Sequence, residues 1–327
     1  MPGAHVAYFA VGGTISMTGA HGTDVVARLT GEDLLAELGA VPTDVVVHSP
    51  YAVPSASLTF TDIVDVVEAA SKAVADGAIG IVITQGTDTL EETAFLIDSI
   101  WPHEAPFVVT GAMRNPSLAG ADGPANLLAA LQVAGSPAAS GRGTLVVFAD
   151  EIHAARHVRK AHSLSIATFV SADLGPIGHL VEGTPRFLAA VPPRRPVTGW
   201  TRDSVERTRI ALHTATLDDD VADLAARPGT HHGLVLAGFG VGHVAARLVP
   251  ALTELAAAMP VVLTSRTGAG PVLADTYGAP GSERDLRSRG LIGGGFVHPY
   301  KARVLLRLLV AAGATHDEIT AAFAALG

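Results

Sequence analysis

The chain has 327 residues, of which 48% are hydrophobic and 16% charged, so its length predicts two domains and its composition excludes general disorder. Its formal net charge of −9 argues against a nucleic-acid backbone or an anionic membrane as the main partner. The absence of cysteine excludes disulfides, thiolate zinc sites and cysteine nucleophiles.

Along the first 150 residues, short apolar runs alternate with segments of helical period. The first long segment places Ile63, Val66 and Val67 on one helical face, and Gly77 ends the helix. The predicted strands are 5–11, 80–84, 106–111 and 143–149, and the predicted helices are 61–75, 89–100 and 122–134. This alternation predicts a mostly parallel sheet that helices cover on both faces.

The composition changes near residue 190. Segment 189–200 holds three prolines and has no helical period, which predicts a linker. Beyond it, the predicted strands are 209–213, 233–239 and 260–264, and the predicted helices are 243–258, 301–312 and 316–325. We therefore expect an α/β fold with a larger N-terminal domain at 1–190, a linker at 191–207 and a smaller C-terminal α/β domain at 208–327.

The sequence contains no apolar run of about 18 residues, the length that spans a bilayer. Its N-terminus lacks the basic region and the cleavage site of a signal peptide. We therefore expect a cytoplasmic protein with no membrane partner.

Three polar segments fall where predicted strands end, which is where ligands bind in open α/β sheets. In the first, Gly12 and Gly13 permit a tight turn, and Thr14 is the first side chain beyond it that can attack a substrate. An isolated GGT sequence is also typical of an ordinary turn. This segment alone leaves a structural threonine and a nucleophile open.

The second segment, Gln85 to Thr89, follows the predicted strand at 80–84. Thr89 and Glu92 fit a capping box, and Asp88 suits the positive end of the next helix. The same segment also offers a hydroxyl, a carboxylate and the backbone N–H groups of a helix N-terminus, which can stabilise an oxyanion. Capping and catalysis both remain open for it.

The third segment, 111–114, ends the predicted strand at 106–111 and is expected to line a pocket through Ala112. Lysine usage is a separate observation: of the 22 basic residues, only Lys72, Lys160 and Lys301 are lysine. A buried or paired lysine can lose its proton, whereas an arginine cannot. A lysine at position 160 is therefore compatible with catalysis as well as with simple solvation.

Two further patterns are weaker. The segment GFGVGH (238–243) is similar to a dinucleotide loop, but His243 stands where the last glycine belongs and no acidic residue follows at the expected place. The spacing of His153, His157 and His162 matches no metal signature, so we expect no metal site there.

Together these segments resemble the bacterial L-asparaginase/glutaminase family. The similar stretches are VGGTIS, VITQGTDTLEETAFLI, VTGAMRNP with ADGPANL, RHVRKAHSLSIATFVS and PYKARVLLRLL. The second stretch is long and specific, and the fourth is similar to the segment that carries the family's catalytic lysine. The likeness runs along nearly the whole chain and is densest between residues 80 and 175.

The resemblance implies a role for each polar residue. Thr14 would attack a side-chain amide and leave an acyl-enzyme for water to hydrolyse, with the Thr87 N–H facing the oxyanion. Thr87, Lys160 and Asp88 would form a second set that activates the nucleophile or the water. Asp88 would also hold the α-amino group of the substrate, and Ser55 would hold its α-carboxylate.

The resemblance also implies the activity of an L-asparaginase, no metal or organic cofactor, and self-association as a homodimer or homotetramer. In the family, the C-terminal domain of one subunit completes the site of its neighbour. The asparagine that does so there aligns with Val241 here, and Asp275 and Glu283 are the candidates for the accompanying glutamate.

Other positions near the expected site also depart from the family pattern. Residues 15–30 lack the tyrosine expected close to the nucleophile, so Thr18 or Thr23 is the available source of a hydroxyl. Ala56 stands in place of a glutamine, and Gln85 in place of a histidine. These departures make amide hydrolysis a safer expectation than a preference for asparagine.

Four functions therefore remain open on the sequence. The leading hypothesis is an L-asparaginase, and a close variant is a hydrolase of glutamine, D-asparagine or a larger amide. The missing tyrosine leaves open a non-catalytic amino-acid-binding relative. The segment 238–243 leaves open a nucleotide-binding α/β protein.

Overall fold

The structure is a computed structural model that describes residues 3–18, 26–27, 29–39, 41, 43–224 and 228–326. The chain divides into two compact units, Met1–Pro196 and Val197–Gly327. The helix Arg202–Arg207 occupies part of the segment 191–207 that was expected to be a linker. The domain limits inferred from the sequence stay predictions.

The first unit alternates strands and helices along most of its length. Its strands are β1 (His5–Ala10), β2 (Met17–Thr18), β3 (Val26–Ala27), β4 (Asp44–His48), β5 (Ala78–Thr84), β6 (Phe107–Thr110), β7 (Thr144–Phe148), β8 (Glu151–Ala154), β9 (Arg159–Lys160), β10 (Phe169–Val170), β11 (Gly178–Val181) and β12 (Thr184–Phe187). Its helices are α1 (Gly31–Ala36), α2 (Phe60–Ala75), α3 (Leu90–Ile100) and α4 (Gly123–Ala134).

The main sheet of the described residues has the strand order β12-β11-β8-β7-β6-β5-β1-β4. Strands β4, β1, β5, β6 and β7 are parallel, and β8, β11 and β12 extend the sheet with antiparallel pairs. The predicted α/β fold is confirmed, and every strand and helix predicted for this unit is present within a few residues of its expected ends.

Apolar side chains on both faces hold this sheet between its helices. Tyr8, Val82 and Val108 point to one face, where they form a core cluster with α4 residues such as Leu127. The alternate residues, among them Ile83, are also buried, and α2 and α3 contact the same strands. Burial on both faces explains why these strands are continuous apolar runs in the sequence.

The second unit is a smaller α/β unit whose described strands form a parallel sheet of order β13-β14-β15-β16. These strands are β13 (Ile210–Thr214), β14 (Gly233–Gly238), β15 (Val261–Ser265) and β16 (Ile292–Gly293). The helices are α5 (Arg202–Arg207), α6 (Val249–Ala258), α7 (Glu283–Ser288), α8 (Pro299–Ala311) and α9 (His316–Ala324).

The helix predicted at 243–258 is wrong in its first part, because α6 begins only at Val249. The N–H of Phe239 donates to the His243 carbonyl, and the N–H groups of Gly242 and His243 donate to the Phe239 carbonyl. These bonds close a tight turn after β14, and a 3-10 turn at Ala246–Leu248 then leads into the helix.

Candidate active site

The loop that follows β1 lies against the backbone of two other loops. A Cβ atom built on Gly12 would lie 2.6 Å from the Val53 nitrogen, and one built on Gly13 would lie 2.1 Å from the Gly86 nitrogen. Gly12 and Gly13 have φ angles of 101° and 93°, which residues other than glycine rarely adopt. The two glycines therefore let Thr14 enter the site where the loops after β1 and β5 meet.

Thr14 begins the 3-10 turn Thr14–Ser16 and is half-buried. Ser16 anchors this turn, because its hydroxyl donates to the Gly13 carbonyl at 2.9 Å. No described residue makes a hydrogen bond to the Thr14 hydroxyl. Thr14 follows the carboxyl end of β1, and Thr87 follows the carboxyl end of β5, the strand parallel and adjacent to β1.

The loop after β5 is tied to Ser55. The N–H of Asp88 donates to the Ser55 hydroxyl oxygen at 3.2 Å, and the Thr89 hydroxyl donates to the Ser55 carbonyl at 3.1 Å. The capping box predicted for Thr89 and Glu92 is wrong, because the Thr89 side chain makes no cap bond to helix α3. Its hydroxyl is used instead to join the two loops.

Lys160 brings the residues of the second set together. Its Nζ donates to Thr87 Oγ1 at 2.9 Å and to Asp88 Oδ1 at 2.8 Å. The Lys160 side chain is 18% exposed and the Asp88 side chain 70%, whereas Thr87 is buried. An ammonium therefore lies between a carboxylate open to solvent and a sheltered hydroxyl. Lys160 is therefore not a simple solvated surface lysine. Lys72, which is exposed on α2, is one.

The segment after β6 is held by two residues that the sequence did not single out. The Asp122 carboxylate accepts the N–H groups of Met113 and Arg114, and the Asn126 amide donates to the Gly111 carbonyl. Ala112 is fully buried and belongs to the core cluster of this unit. Its side chain contributes to that core, and its expected place in a substrate pocket stays a prediction.

Tyr8, the tyrosine nearest to Thr14 in the sequence, does not replace the tyrosine that is missing near the nucleophile. Tyr8 is sealed in the core, its hydroxyl 2.9 Å from Thr84 Oγ1, and burial raises its pKa well above the ordinary value. Thr18 lies in β2, which pairs with β3. Thr23 lies outside the described residues.

Gln85, which stands where the family has a histidine, is fully buried beside the site. Its amide nitrogen donates to the Gly86 carbonyl at 3.3 Å, while its Oε1 has no partner among the described residues. The amide of Gln85 therefore contributes one hydrogen bond within the loop after β5.

The segment 238–243 and the histidines His153 and His243 make hydrogen bonds to residues around them. The N–H groups of Phe239, Gly242 and His243 already donate to carbonyls of the same turn, so these three are not available to hold a pyrophosphate. Glu283 is fully buried, and its carboxylate contacts His243 at 3.0 Å and accepts the Tyr277 N–H at 2.7 Å. His153 is fully buried between Ser171 and Glu151.

The described residues contain no group of three or more His, Asp and Glu side chains placed to hold a metal ion. None of the helices of these described residues is both long enough and apolar enough to cross a membrane.

Comparison with known proteins finds two family models that match the chain. Residues 5–192 match the family model described as Asparaginase, N-terminal, and residues 209–323 match that of the Glutaminase/Asparaginase C-terminal domain. The "Probable L-asparaginase" of Deinococcus radiodurans is 37% identical, over 84% of this chain and 84% of that protein. The "L-asparaginase" of Bacillus licheniformis is 32% identical, over 94% and 95% of the two chains.

A solved structure gives the same result for the fold. The crystal structure of a probable cytoplasmic L-asparaginase from Campylobacter jejuni matches with a TM-score of 0.87 at 27% identity. The match covers 98% of this chain and 99% of that one. The similarity therefore extends over both units.

Proposed function

Because the chain belongs to the asparaginase/glutaminase family, we propose that it hydrolyses L-asparagine to L-aspartate and ammonia through an acyl-enzyme on Thr14. The chain is an amidohydrolase. The observation that carries the assignment of residues is the contact of Lys160 Nζ with both Thr87 and Asp88, on the loop that Gly13 touches.

In the first half of the reaction, the Thr14 oxygen attacks the carbon of the side-chain amide. The C–N bond breaks, and the hydroxyl proton leaves with the nitrogen as ammonia. In the second half, water attacks the ester, the bond to Thr14 breaks, and the proton returns to the threonine. Aspartate is then released.

The second set supports both halves by controlling protons. Because Lys160 donates to Thr87 Oγ1, the Thr87 hydroxyl must direct its own proton elsewhere. That proton is then available to an acceptor atom of the substrate. The Asp88 carboxylate accepts a hydrogen bond from the ammonium of Lys160. Because this carboxylate is largely exposed, it can also bind the α-amino group of a substrate.

Backbone and hydroxyl donors complete the proposed site. The Thr87 N–H donates to no described acceptor, which leaves it for the oxyanion of the tetrahedral intermediate. Ser55 Oγ accepts the Asp88 N–H, so its own proton can be donated to the α-carboxylate of a substrate.

The test is an ammonia-release assay on asparagine, glutamine, D-asparagine and peptide amides. We expect turnover of asparagine, and Thr14→Ala should lower kcat by at least about 10³-fold while the protein stays folded and binds its ligand. Full activity in Thr14→Ala would remove this residue from the mechanism.

The same assay separates the remaining alternatives. No turnover of asparagine at millimolar concentration, with turnover of another amide, would assign the enzyme to that amide, as Ala56 and Val241 suggest. Ligand binding without turnover of any amide would instead indicate a binding protein. For NAD and ATP we expect no heat of binding in calorimetry, since the turn at 238–243 is closed by its own bonds.

We also propose that the protein is cytoplasmic and assembles as a homodimer or homotetramer. The cytoplasmic relative from Campylobacter jejuni supports the first statement, and the family resemblance supports the second. Light scattering coupled to gel filtration measures the assembly directly. A protein that remains monomeric at high concentration would refute it.

A further inference from the structure

The strand that carries Lys160 is not part of the main sheet. Among the described strands, β9 pairs only with β10, and the pairing joins two residues of each. A pair of strands this short is a weak restraint by itself. Yet Lys160 Nζ stays within hydrogen-bond distance of two partners on the loop after β5. The hairpin continues through the Ala161 N–H, which donates to the Thr168 carbonyl at 2.8 Å, but these bonds do not connect it to the loop after β5. A restraint between β9 and the elements around that loop would fix the position of Lys160.

Glu91 supplies that restraint. Its carboxylate oxygen Oε2 accepts a hydrogen bond from the backbone N–H of Lys160. Glu91 is 5% exposed and lies in the first turn of α3, the helix that directly follows Thr87 and Asp88. One carboxylate thus fastens the backbone of Lys160 to the helix whose N-terminal loop carries the partners of the Lys160 side chain.

The place of Glu91 suits an ionised carboxylate. The N-terminal turn of a helix favours negative charge. A hydrogen bond from a backbone N–H to an ionised acceptor is about twice as strong as one to a neutral acceptor. The bond is partly buried, which limits the competition of water for the two groups.

We propose that Glu91 is a positioning residue, which holds Lys160 against Thr87 and Asp88 so that the proposed amide hydrolysis can proceed. The inference rests on the proposed function for its kinetic consequence. Its structural part, the bond between Glu91 and the Lys160 N–H, can be tested without turnover.

The kinetic test compares two substitutions of Glu91. Glu91→Ala removes the acceptor, whereas Glu91→Gln retains an oxygen at the same position. We expect Glu91→Ala to lower kcat for asparagine at least about 10-fold with little change in KM, and Glu91→Gln to restore most of that loss. The neighbouring Glu92→Ala is the matched control and should leave kcat within about twofold.

A double-mutant cycle separates positioning from a general structural role. In a Lys160→Met background, Glu91→Ala should have no further effect on kcat, because the residue through which it acts is gone. Additive losses, or equal losses in Glu91→Ala and Glu92→Ala, would overturn the proposal. Circular dichroism confirms that each variant is folded.

The second readout uses the scarcity of lysine. A chain labelled with 15N-lysine gives three backbone amide signals, from Lys72, Lys160 and Lys301. Glu91→Ala should move the Lys160 amide proton upfield and speed its exchange with solvent at least about 10-fold, while Lys72 stays unchanged. An unmoved Lys160 signal would overturn the proposal. If the wild type hydrolyses no amide, the proposed function fails, and this signal still decides whether Glu91 holds Lys160.

Discussion

Gly13 and Gly86 approach so closely that a Cβ on Gly13 would lie 2.1 Å from the nitrogen and 2.4 Å from the Cα of Gly86. A Cβ on Gly86 would in turn lie 2.7 Å from the Ser55 hydroxyl. The loop that carries the proposed nucleophile thus packs backbone to backbone on the loop of the activating threonine, which in turn packs on the Ser55 side chain.

Gly13→Ala tests this packing. The added methyl meets backbone and not a flexible side chain, so we expect a loss of about 1–3 kcal/mol beyond the cost of the positive φ, and a large fall in kcat/KM. Gly77→Ala is the matched control, since Gly77 has a φ of 110° but nothing within 4 Å of its built Cβ. Urea unfolding and ammonia release measure both. Equal effects of the two substitutions would contradict the close approach.

Lys160→Met keeps the length of the side chain and removes the ammonium. We expect kcat for asparagine to fall by at least about 10³-fold, because Thr87 and Asp88 lose their shared donor. Lys72→Met, on the exposed side of α2, is the control and should keep near-wild-type activity. If both variants remain active, Lys160 has only a structural part in the site.

Ser55→Ala addresses substrate binding. A hydrogen bond from this hydroxyl to a charged carboxylate is typically worth about 1.5–3 kcal/mol, so we expect KM for asparagine to rise about 10- to 100-fold and kcat to fall less. Ser57→Ala removes a hydroxyl from the same 3-10 turn at an exposed position and should leave KM unchanged. A fall in kcat with no change in KM would contradict the proposal that Ser55 binds the α-carboxylate.

Glu283 predicts a dependence of stability on pH in the second unit. Burial opposes its ionisation, but hydrogen bonds from the Tyr277 N–H, from its own N–H, from His243 and from the Thr276 N–H outweigh burial and lower its pKa. A lowered pKa in the folded state means that the ionised group stabilises the fold above the unfolded pKa. This stability is lost as the pH falls through the folded value.

The measurement is the urea midpoint of the wild type and of Glu283→Gln at several pH values. We expect the variant to be less stable by about 1–3 kcal/mol at pH 7, and the difference to shrink as the pH falls below about 4. Glu254→Gln, at an exposed position of α6, should change stability by less than about 0.5 kcal/mol at every pH. A difference that does not vary with pH would contradict the role of the ionised carboxylate.

The sequence predicts the parts of the fold that have a period. Strands such as β5 and helices such as α2 are long enough for their apolar pattern to show, and the ends of β1 and β5 indicate where polar residues gather. The two-residue strands β9 and β10 are too short to show a period, so the apolar pattern could not predict which residues surround Lys160. The placement of Lys160 beside Thr87 came only from the family resemblance.

Local rules also fail where a tertiary contact competes with them. Thr89 has the position of a capping residue, yet its hydroxyl donates to Ser55, a partner that no local pattern reveals. The turn after β14 likewise resembles the start of a helix, but Phe239 and His243 exchange backbone bonds that delay it until Val249. In both places the observed structure depends on hydrogen bonds between residues that the local sequence pattern does not include.

The position of Lys160 on its own small hairpin has a consequence for how activity is acquired during folding. Its contact with Thr87 closes a separation of 73 residues, across the strands β6, β7 and β8. Contacts this distant in sequence form late, since the intervening chain must be ordered first. On dilution from urea, helical dichroism should therefore recover before ammonia release does, and intermediates caught between the two should be well structured and inactive.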